Sequence, residues 1–180
     1  MSKLNHQKQL AIIEEEMGEA IVKSHTFRDL LTVDVTAEKN VHIISFLRRD
    51  SRLDYAFFVD LSCTDYLTYD AEPVPGRYAI VYILYSLLHD TRIRVRAFVS
   101  EAESSIKSIY SEYKGALLTE REVYDMYGIH IEGHPDLRRL LMPEDYGSYP
   151  LKKDYPLQGL GERSEFPKYN IYEKLKQTNE

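Results

Sequence analysis

Three carboxylates that lie close together in the sequence are the first candidates for chemistry. Glu120, Glu122 and Asp125 occupy one short stretch, and the last two become neighbours if the stretch is helical. Paired carboxylates can act as general acid and base. The same residues also suit a helix start, because Thr119 and Glu122 match a capping box and acidic groups are favoured in a first turn. We favour capping, because a two-turn helix followed by a proline- and glycine-rich stretch offers no cleft for catalysis.

The residues around these carboxylates predict the extent of the helix. Three apolar residues recur on one face at helical spacing: Val123, Met126 and Tyr127. Gly128 follows where a left-handed residue would end the helix after about two turns. On the polar side, Arg121 and Asp125 are four residues apart and are expected to form an ion pair.

Histidine and cysteine give no metal site in this sequence. His130 and His134 are four apart, but Gly133 and Pro135 break the helix that would align them, and no cluster of cysteines or carboxylates completes a coordination sphere. The single Cys63 cannot form an internal disulfide, and an iron–sulfur cluster takes about four thiolates. No metal, cofactor or catalytic residue is therefore expected in this chain.

Composition bounds the class of protein. The chain has 180 residues, enough for one well-buried domain, and is 43% hydrophobic and 29% charged. Its longest apolar run, residues 78–88, is well short of the roughly 20 residues that span a bilayer, so membrane contact is expected only through partners. A net charge of −6 argues against binding nucleic acid. The single cysteine and the lack of a signal sequence indicate a reducing, cytoplasmic setting.

Periodicity predicts an α+β fold with a mostly antiparallel four-stranded sheet and helices on one face. The predicted elements, in order, are a helix over residues 5–17, a strand over 27–35, a helix starting after Thr36, strands over 55–62, 78–87 and 92–99, and a helix capped by Ser100 and Glu103. The inner face of the last helix would carry Ile106, Ile109, Tyr110 and Tyr113.

The last predicted strand carries an arginine stripe. Arg92, Arg94 and Arg96 alternate with apolar residues, so their guanidinium groups should share one face of the sheet. The simplest interpretation is a solvated face. The alternative is a docking stripe for an acidic partner.

The end of the chain has a different character. Residues 128–167 contain five glycines and five prolines and no sustained period, yet they include the aromatic residues Tyr146, Tyr149, Tyr155 and Phe166. Disordered linkers generally lack aromatic residues, so we expect an extended arm that becomes ordered on a partner. The predicted organisation is an α+β domain over 1–116, a short signature helix over 117–128, and an extended C-terminal arm over 129–180 that docks on a partner subunit.

Two stretches resemble the 30 kDa subunit family of respiratory complex I, also called the C subunit of the proton-pumping NADH:quinone oxidoreductase. The first stretch runs from the Glu-Arg-Glu triplet at 120–122 through His134 to Leu141, and the second is Pro-Leu-Lys-Lys-Asp-Tyr-Pro-Leu at 150–157. A weaker match begins at Phe58. The family usually has a tryptophan just before the triplet, whereas this chain has Leu117-Leu118-Thr119 and no tryptophan.

The resemblance implies a non-catalytic structural subunit of the peripheral arm of complex I. Such a protein packs against the 49-kilodalton (D) subunit and the iron–sulfur subunits near the quinone site, on the cytoplasmic side of the inner membrane, as a peripheral member of a hetero-oligomer. Iron–sulfur clusters, FMN and quinone would then belong to partner subunits. The alternatives are the equivalent subunit of a related membrane-bound hydrogenase or other-donor quinone reductase, and a free-standing acid/base enzyme that uses Glu122 and Asp125.

The resemblance also implies two groups of interface and signature residues. The first group would form the turn that begins the arm: Glu120, Arg121, Glu122, Asp125, Gly128, His134, Pro135, Arg138 and Arg139. The second group would anchor the arm on the partner: Lys152, Asp154, Tyr155 and Pro156.

Overall fold

The computed structural model describes residues 4–161. Three α-helices lie within this range: α1 (His6–Met17), α2 (Asn40–Arg49) and α3 (Ala116–Tyr127). The strands in the same range are β1 (Ile21–Phe27), β2 (Leu30–Thr36), β3 (Phe57–Asp65), β4 (Tyr78–Ser86), β5 (Thr91–Val99), β6 (Ser105–Lys107) and β7 (His130–Glu132). Short 3-10 turns, Gly18–Ala20 and Ala37–Lys39, precede β1 and α2. Among these residues, no helix has both the length and the apolar character to cross a bilayer.

The main sheet has five strands in the order β1-β2-β5-β4-β3. All neighbouring pairs are antiparallel except β2 and β5, which run parallel at the centre of the sheet. The small strands β6 and β7 form a separate parallel pair. The predicted α+β class and the mostly antiparallel sheet are confirmed, and the predicted number of four strands was wrong.

The extra strand is β1, which lies just before the predicted strand 27–35. It forms a hairpin with β2, which corresponds to most of that predicted strand. Arg28 and Asp29 connect the two strands, and both have positive φ values, 50° and 60°. A two-residue turn of this kind matches the twist of a hairpin but usually carries Asn-Gly or Asp-Gly. The Arg-Asp pair gives no such signal, and β1 lies at a sheet edge where its burial does not alternate regularly.

All three helices cover one face of the sheet. On β5, Ile93, Val95 and Ala97 point into the core and alternate with the arginines on the outer face. Inward residues of β2, β3 and β4 join the same buried cluster. The helices contribute Ile13 and Met17 from α1, Ile43, Ile44 and Leu47 from α2, and Ala116 and Val123 from α3. The predicted single layer of helices is therefore confirmed.

The helix predicted after Ser100 does not form. Ser100 Oγ does accept the Glu103 N–H at 3.1 Å, as a capping residue would. The chain then enters β6, where Ile106 lies opposite Ile131 of β7. Ile106 and Ile109 are fully buried, so the apolar pattern reflects packing of a strand and the following turn. Tertiary pairing with a strand more than twenty residues away overrides the local helical signal.

Candidate functional site

Helix α3 begins four residues earlier than the capping box predicted. Gly115 precedes the helix without a side-chain cap, and Thr119 lies inside the first turns, where its hydroxyl donates to the carbonyl of Ala116 at 3.2 Å. The prediction of Thr119 as the cap was therefore wrong. The C-terminal stop at Gly128 is confirmed, since Gly128 has φ 73° and its N–H donates to the carbonyl of Tyr124.

Glu120 lies within α3, and its side chain is directed into the protein interior. Glu120 is 1% exposed. One carboxylate oxygen accepts the Ile109 N–H at 2.7 Å, and the other accepts the Ser108 hydroxyl at 2.7 Å. Burial raises the pKa of Glu120, although these two donors and the nearby His134 oppose the rise. Glu120 therefore ties α3 to the loop that follows β6.

His134 uses both of its ring nitrogens within the chain. Its Nδ1 accepts the Asp136 N–H at 3.1 Å, and its Nε2 lies 2.9 Å from the carbonyl of Leu117. His130 lies on β7 with its side chain exposed. In the described range, no three His, Cys, Asp or Glu side chains are grouped as a metal site would need.

Asp125 organises the turn that follows α3. Its side chain is fully buried. Oδ2 accepts three successive backbone N–H groups, those of Leu140 at 3.0 Å, Leu141 at 2.6 Å and Met142 at 2.9 Å, and Oδ1 accepts from Arg139 at 2.8 Å. We call this arrangement the Asp125 cluster. Burial alone would raise the pKa of Asp125, but the backbone N–H groups and Arg139 outweigh it and hold that pKa below its usual range.

Two arginines fasten the same segment through backbone carbonyls. Arg139 donates to the carbonyls of Tyr146 and Ser148, and its guanidinium lies 5.1 Å from the ring centroid of Tyr149. Arg121 donates to the carbonyls of Arg138 at 3.1 Å and Arg139 at 2.8 Å. The predicted pair of Arg121 with Asp125 was therefore wrong, because Arg139 occupies the carboxylate.

The remaining turn residues lie nearer the surface. The guanidinium of Arg138 is largely exposed and pairs with Asp136 at 3.0 Å. Pro135 lies in the tight turn between His134 and Asp136. Glu122 is exposed on the outer side of α3. The structure thus gives Glu120, Arg121, Asp125, His134 and Arg139 partners within the chain, whereas Glu122 and Arg138 are largely exposed.

The segment after residue 148 lies back against its own domain. The ring of Tyr149 covers Gly128, where an added Cβ would lie 2.7 Å from the ring. The Leu151 N–H donates to the carbonyl of Met126 at 3.1 Å, and the Lys153 N–H donates to Asp65 at 2.9 Å.

The predicted anchor residues lie in this segment. The carboxylate of Asp154 pairs with Arg77 at 2.8 Å. The ammonium of Lys152 lies 5.2 Å from the ring centroid of Tyr149. The hydroxyl of Tyr155 meets that of Tyr146 at 2.6 Å, and the carbonyl of Pro156 accepts the Gly159 N–H. The rest of the predicted arm, residues 162–180, lies outside the described residues.

Asp65 and Arg77 are functional candidates that sequence reasoning missed. The Asp65 side chain is fully buried, and Arg77 donates to both of its oxygens, to Glu101 and to Asp154. Burial would raise the pKa of Asp65, but Arg77 and two backbone N–H groups hold it below its usual range. The signal was present, because β3 alternates inward Leu61, Cys63 and Asp65. A carboxylate at an inward position implies a buried partner.

The three carboxylates that the sequence suggested for acid/base chemistry are Glu120, Glu122 and Asp125. Asp125 and Glu120 each have both oxygens occupied by donors of this chain. Glu122 is exposed to solvent. Within the described residues, no two of the three share a space that a substrate could enter, so the geometry favours a structural role for this end of α3.

Comparison with known proteins identifies the family. Residues 33–160 match the family model described as the respiratory-chain NADH dehydrogenase, 30 Kd subunit. The NADH-quinone oxidoreductase C subunit of Geobacter sulfurreducens is 41% identical over 147 residues, which is 82% of this chain and 87% of the relative. The C subunit of Geobacter metallireducens is 42% identical over 149 residues, covering 83% and 88% of the two chains.

Solved structures give the same fold. The trypsin-resistant fragment (1–134) of Nqo5 superposes with a TM-score of 0.59 at 30% identity and covers 72% of this chain and 98% of that fragment. A chain of the membrane-bound sulfane sulfur reductase, an archaeal respiratory membrane complex, superposes with a TM-score of 0.67 at 19% identity, covering 89% and 91%. That second likeness concerns the fold alone. With a matching family model over most of its length and relatives at about 40% identity, this chain belongs to the 30 kDa subunit family of respiratory complex I.

Proposed function

We propose that this chain is a non-catalytic structural subunit in the peripheral arm of a proton-translocating NADH:quinone oxidoreductase, packed against the D subunit near the quinone site. It is a peripheral component on the cytoplasmic side of the membrane. Electrons pass through FMN, iron–sulfur clusters and quinone held by its partners. The names of its relatives favour this assignment over a hydrogenase component.

The observation that carries the proposal is a firmly positioned segment with exposed leucines. The Asp125 cluster fixes the chain direction at residues 139–142, yet Leu141 within it is 64% exposed. Leu151, whose N–H bonds to a carbonyl of α3, is 47% exposed, and Leu157 is fully exposed. Apolar side chains on an ordered surface segment typically mark a protein interface. The segment therefore suits a docking surface built by intrachain bonds and covered by a partner.

The intrachain bonds give the signature residues their role in this proposal. Asp125, Arg121 and Arg139 set the path of the segment, so that its leucines reach the partner in one arrangement, and Glu120 fixes α3 to the loop that follows β6. Asp154 keeps the end of the segment on the domain through Arg77. Preorganisation of this kind lowers the entropy lost on binding. An acid/base enzyme would instead need a carboxylate with a free oxygen facing a cavity.

Co-purification tests the proposal. The chain is tagged at its N-terminus in its native host, membranes are solubilised in mild detergent, and the isolated material is analysed by mass spectrometry and assayed for quinone reduction. We expect a D-type subunit, iron–sulfur subunits and NADH:quinone reductase activity to accompany the tag. Recovery of the chain alone as a monomer would contradict the proposal.

A matched pair of variants separates a scaffold from an enzyme. Asp125→Asn is expected to reduce recovery of the partner subunits, because it disrupts the Asp125 cluster. Glu122→Gln, an exposed change on the same helix, is expected to leave both recovery and activity unchanged. An Asp125→Asn complex that assembles fully but has lost quinone reduction would favour the acid/base alternative.

Limited proteolysis gives an independent test. The Nqo5 neighbour is a trypsin-resistant fragment of residues 1–134. In this chain the exposed Arg138 lies just beyond β7, whereas Arg139 is largely buried. We expect trypsin to cut the isolated chain after Arg138 and to leave the same bond intact in the assembled complex. Equal cleavage in both forms would mean that no partner covers the segment.

A further inference from the structure

The outer face of the sheet, opposite the helices, contains a row of mostly polar residues, several of which lack partners within residues 4–161. Strand register places His25 of β1, Thr32 of β2 and Arg94 of β5 side by side. The row continues through Ile83 of β4 to Asp60 of β3. We call these five residues the outer row.

The three arginines of β5 differ in their side-chain partners and in their exposure to solvent. Arg96 makes two hydrogen bonds of 2.7 Å to Asp34 and one of 3.0 Å to the Tyr66 hydroxyl. Arg92 is exposed, with its guanidinium 5.6 Å from the ring centroid of Tyr85. Arg94 is half-buried at the centre of the sheet. Among the residues that the structure describes, its guanidinium has no hydrogen bond, ion pair or ring contact.

Two buried atoms beside Arg94 are also unsatisfied. Thr32 is 1% exposed, and its Oγ1 has no hydrogen-bond partner among the described residues. The same holds for Nδ1 of His25. Both atoms are shielded from water, and folded proteins pair nearly all such groups. The carboxylate of the row, Asp60, is two strands from Arg94, roughly 10 Å away at normal strand spacing, and accepts the N–H of Leu61.

A solvated face does not account for this arrangement. On the same face, Arg96 is neutralised by Asp34, a nearly buried carboxylate on the adjacent strand. The sheet can therefore provide an internal partner for an arginine, and it provides none for Arg94. Directly beside Arg94, the outer row places Ile83 and Thr32, neither of which is an anion. The chain carries a net charge of −6, yet Arg92 and Arg94 lie on this face, and neither forms an ion pair among the described residues.

We propose that the outer row is a docking surface for an acidic segment of another chain in the assembly, with a carboxylate of that segment paired to Arg94. This inference rests on the proposed function, because the partner is another subunit. Charge complementarity selects an acidic partner. The apolar contribution comes from Ile83 and from Phe57, which lies on the same face at the edge of the sheet and is 53% exposed.

A zero-length cross-link tests the pairing directly. Arg94→Lys keeps the positive charge and supplies an amine, which a carbodiimide joins to a carboxylate within ion-pair distance. In the complex isolated through the N-terminal tag, we expect an amide bond from position 94 to an Asp or Glu of a different polypeptide. We also expect acetylation of that amine to be at least tenfold slower in the complex than in the isolated chain.

Arg49→Lys is the positive control for the chemistry. Arg49 pairs with Glu112 at 2.8 Å on the helical side of the domain, so its replacement should cross-link within the chain. As a second readout, Arg94→Gln is expected to lower recovery of partner subunits at least fivefold, whereas Arg94→Lys preserves it.

Three results would overturn the inference. They are equal acetylation of position 94 in the complex and the isolated chain, cross-links from position 94 only to carboxylates of this sequence, and full recovery of partners with Arg94→Gln. Each can occur while the tagged wild-type chain still brings its partners, so each contradicts the docking surface and leaves the proposed function intact. Recovery of the wild-type chain without partners would overturn both.

Discussion

Replacement of Asp125 by Asn tests the central interaction of the turn after α3. The carboxylate uses both oxygens, one for three backbone N–H groups and one for Arg139. An amide keeps a single oxygen. In one orientation its NH2 group faces the guanidinium, and in the other it faces the three N–H donors. Either way, buried donors lose their acceptor.

The magnitude follows from the ion pair and hydrogen bonds that the substitution removes. Breaking a buried ion pair costs about 3–5 kcal/mol, and single hydrogen bonds to a charged group contribute about 1.5–3 kcal/mol. Arg139 keeps the carbonyls of Asp125, Tyr146 and Ser148 as acceptors. The loss should therefore lie at the lower end, about 3 kcal/mol, which is roughly a 150-fold change in the unfolding equilibrium.

Urea denaturation and hydrogen exchange measure this effect. The free energy of unfolding of the isolated chain is compared between wild type, Asp125→Asn and Glu122→Gln, with the exposed Glu122 expected to matter by less than about 0.5 kcal/mol. Hydrogen exchange should show faster exchange of the amides of residues 140–142 in Asp125→Asn, because these amides lose their acceptor.

The pH dependence of stability gives a second test of the role of the Asp125 carboxylate. The folded-state pKa of Asp125 is lowered, so its stabilisation is present above the unfolded pKa of about 3.9 and is lost as pH falls through the folded pKa. The difference in unfolding free energy between wild type and Asp125→Asn should therefore narrow below about pH 4. A difference below about 0.5 kcal/mol at pH 7, the size expected of an ordinary surface substitution, would refute the reasoning if exchange at residues 140–142 were also unchanged.

Four other substitutions have defined outcomes. Gly128→Ala places a Cβ at positive φ and 2.7 Å from the ring of Tyr149, so we expect a loss of about 1–3 kcal/mol in urea denaturation; an unchanged midpoint would contradict the packing. Glu120 has a raised pKa, so its contribution to stability is fully present below the unfolded pKa of about 4.3 and is lost as pH rises through the folded pKa. Glu120→Gln should therefore reduce the fall of the urea midpoint as the pH rises above about 4.3, and an unaltered pH profile would count against this reasoning. Asp65→Asn should lower the free energy of unfolding by about 3 kcal/mol, because it breaks a buried ion pair with Arg77. Asp154 pairs with the same arginine but is half-exposed, so Asp154→Asn should cost below about 1 kcal/mol. Equal losses in thermal unfolding would show that burial does not make the Asp65–Arg77 pair stronger than the Asp154–Arg77 pair.

Periodicity predicted the elements whose apolar residues follow a single pattern. This holds for α1, α2, β3, β4 and β5. Their inward residues recur with a period of about 3.6 residues in the helices and 2 residues in the strands. The hairpin at Arg28 was missed because its turn has neither asparagine nor glycine. The false helix after Ser100 had a true local cap, and only the distant pairing of β6 with β7 decided its conformation.

The family motif located the site residues but not their partners. Asp125 and Arg139 were both singled out, yet the ion pair between them joins residues 14 positions apart and depends on how the chain turns after β7. Helical spacing favoured Arg121 as the partner of Asp125, because spacing considers only residues that are close in sequence. The pairing of Asp65 with Arg77 depends on a loop whose path no periodicity encodes.

The parallel pair at the centre of the sheet sets the order in which the chain completes its fold. The β1–β2 hairpin and the β3–β4–β5 meander each consist of pairings close in sequence, whereas β2 meets β5 across 62 residues, as between Asp34 and Arg96. Long-range pairing of this kind forms after local units. During synthesis the sheet can close once β5 has left the ribosome, before the exposed leucines of the C-terminal segment are made. A nascent chain would therefore present its interface leucines only after all strands of the main sheet have been made.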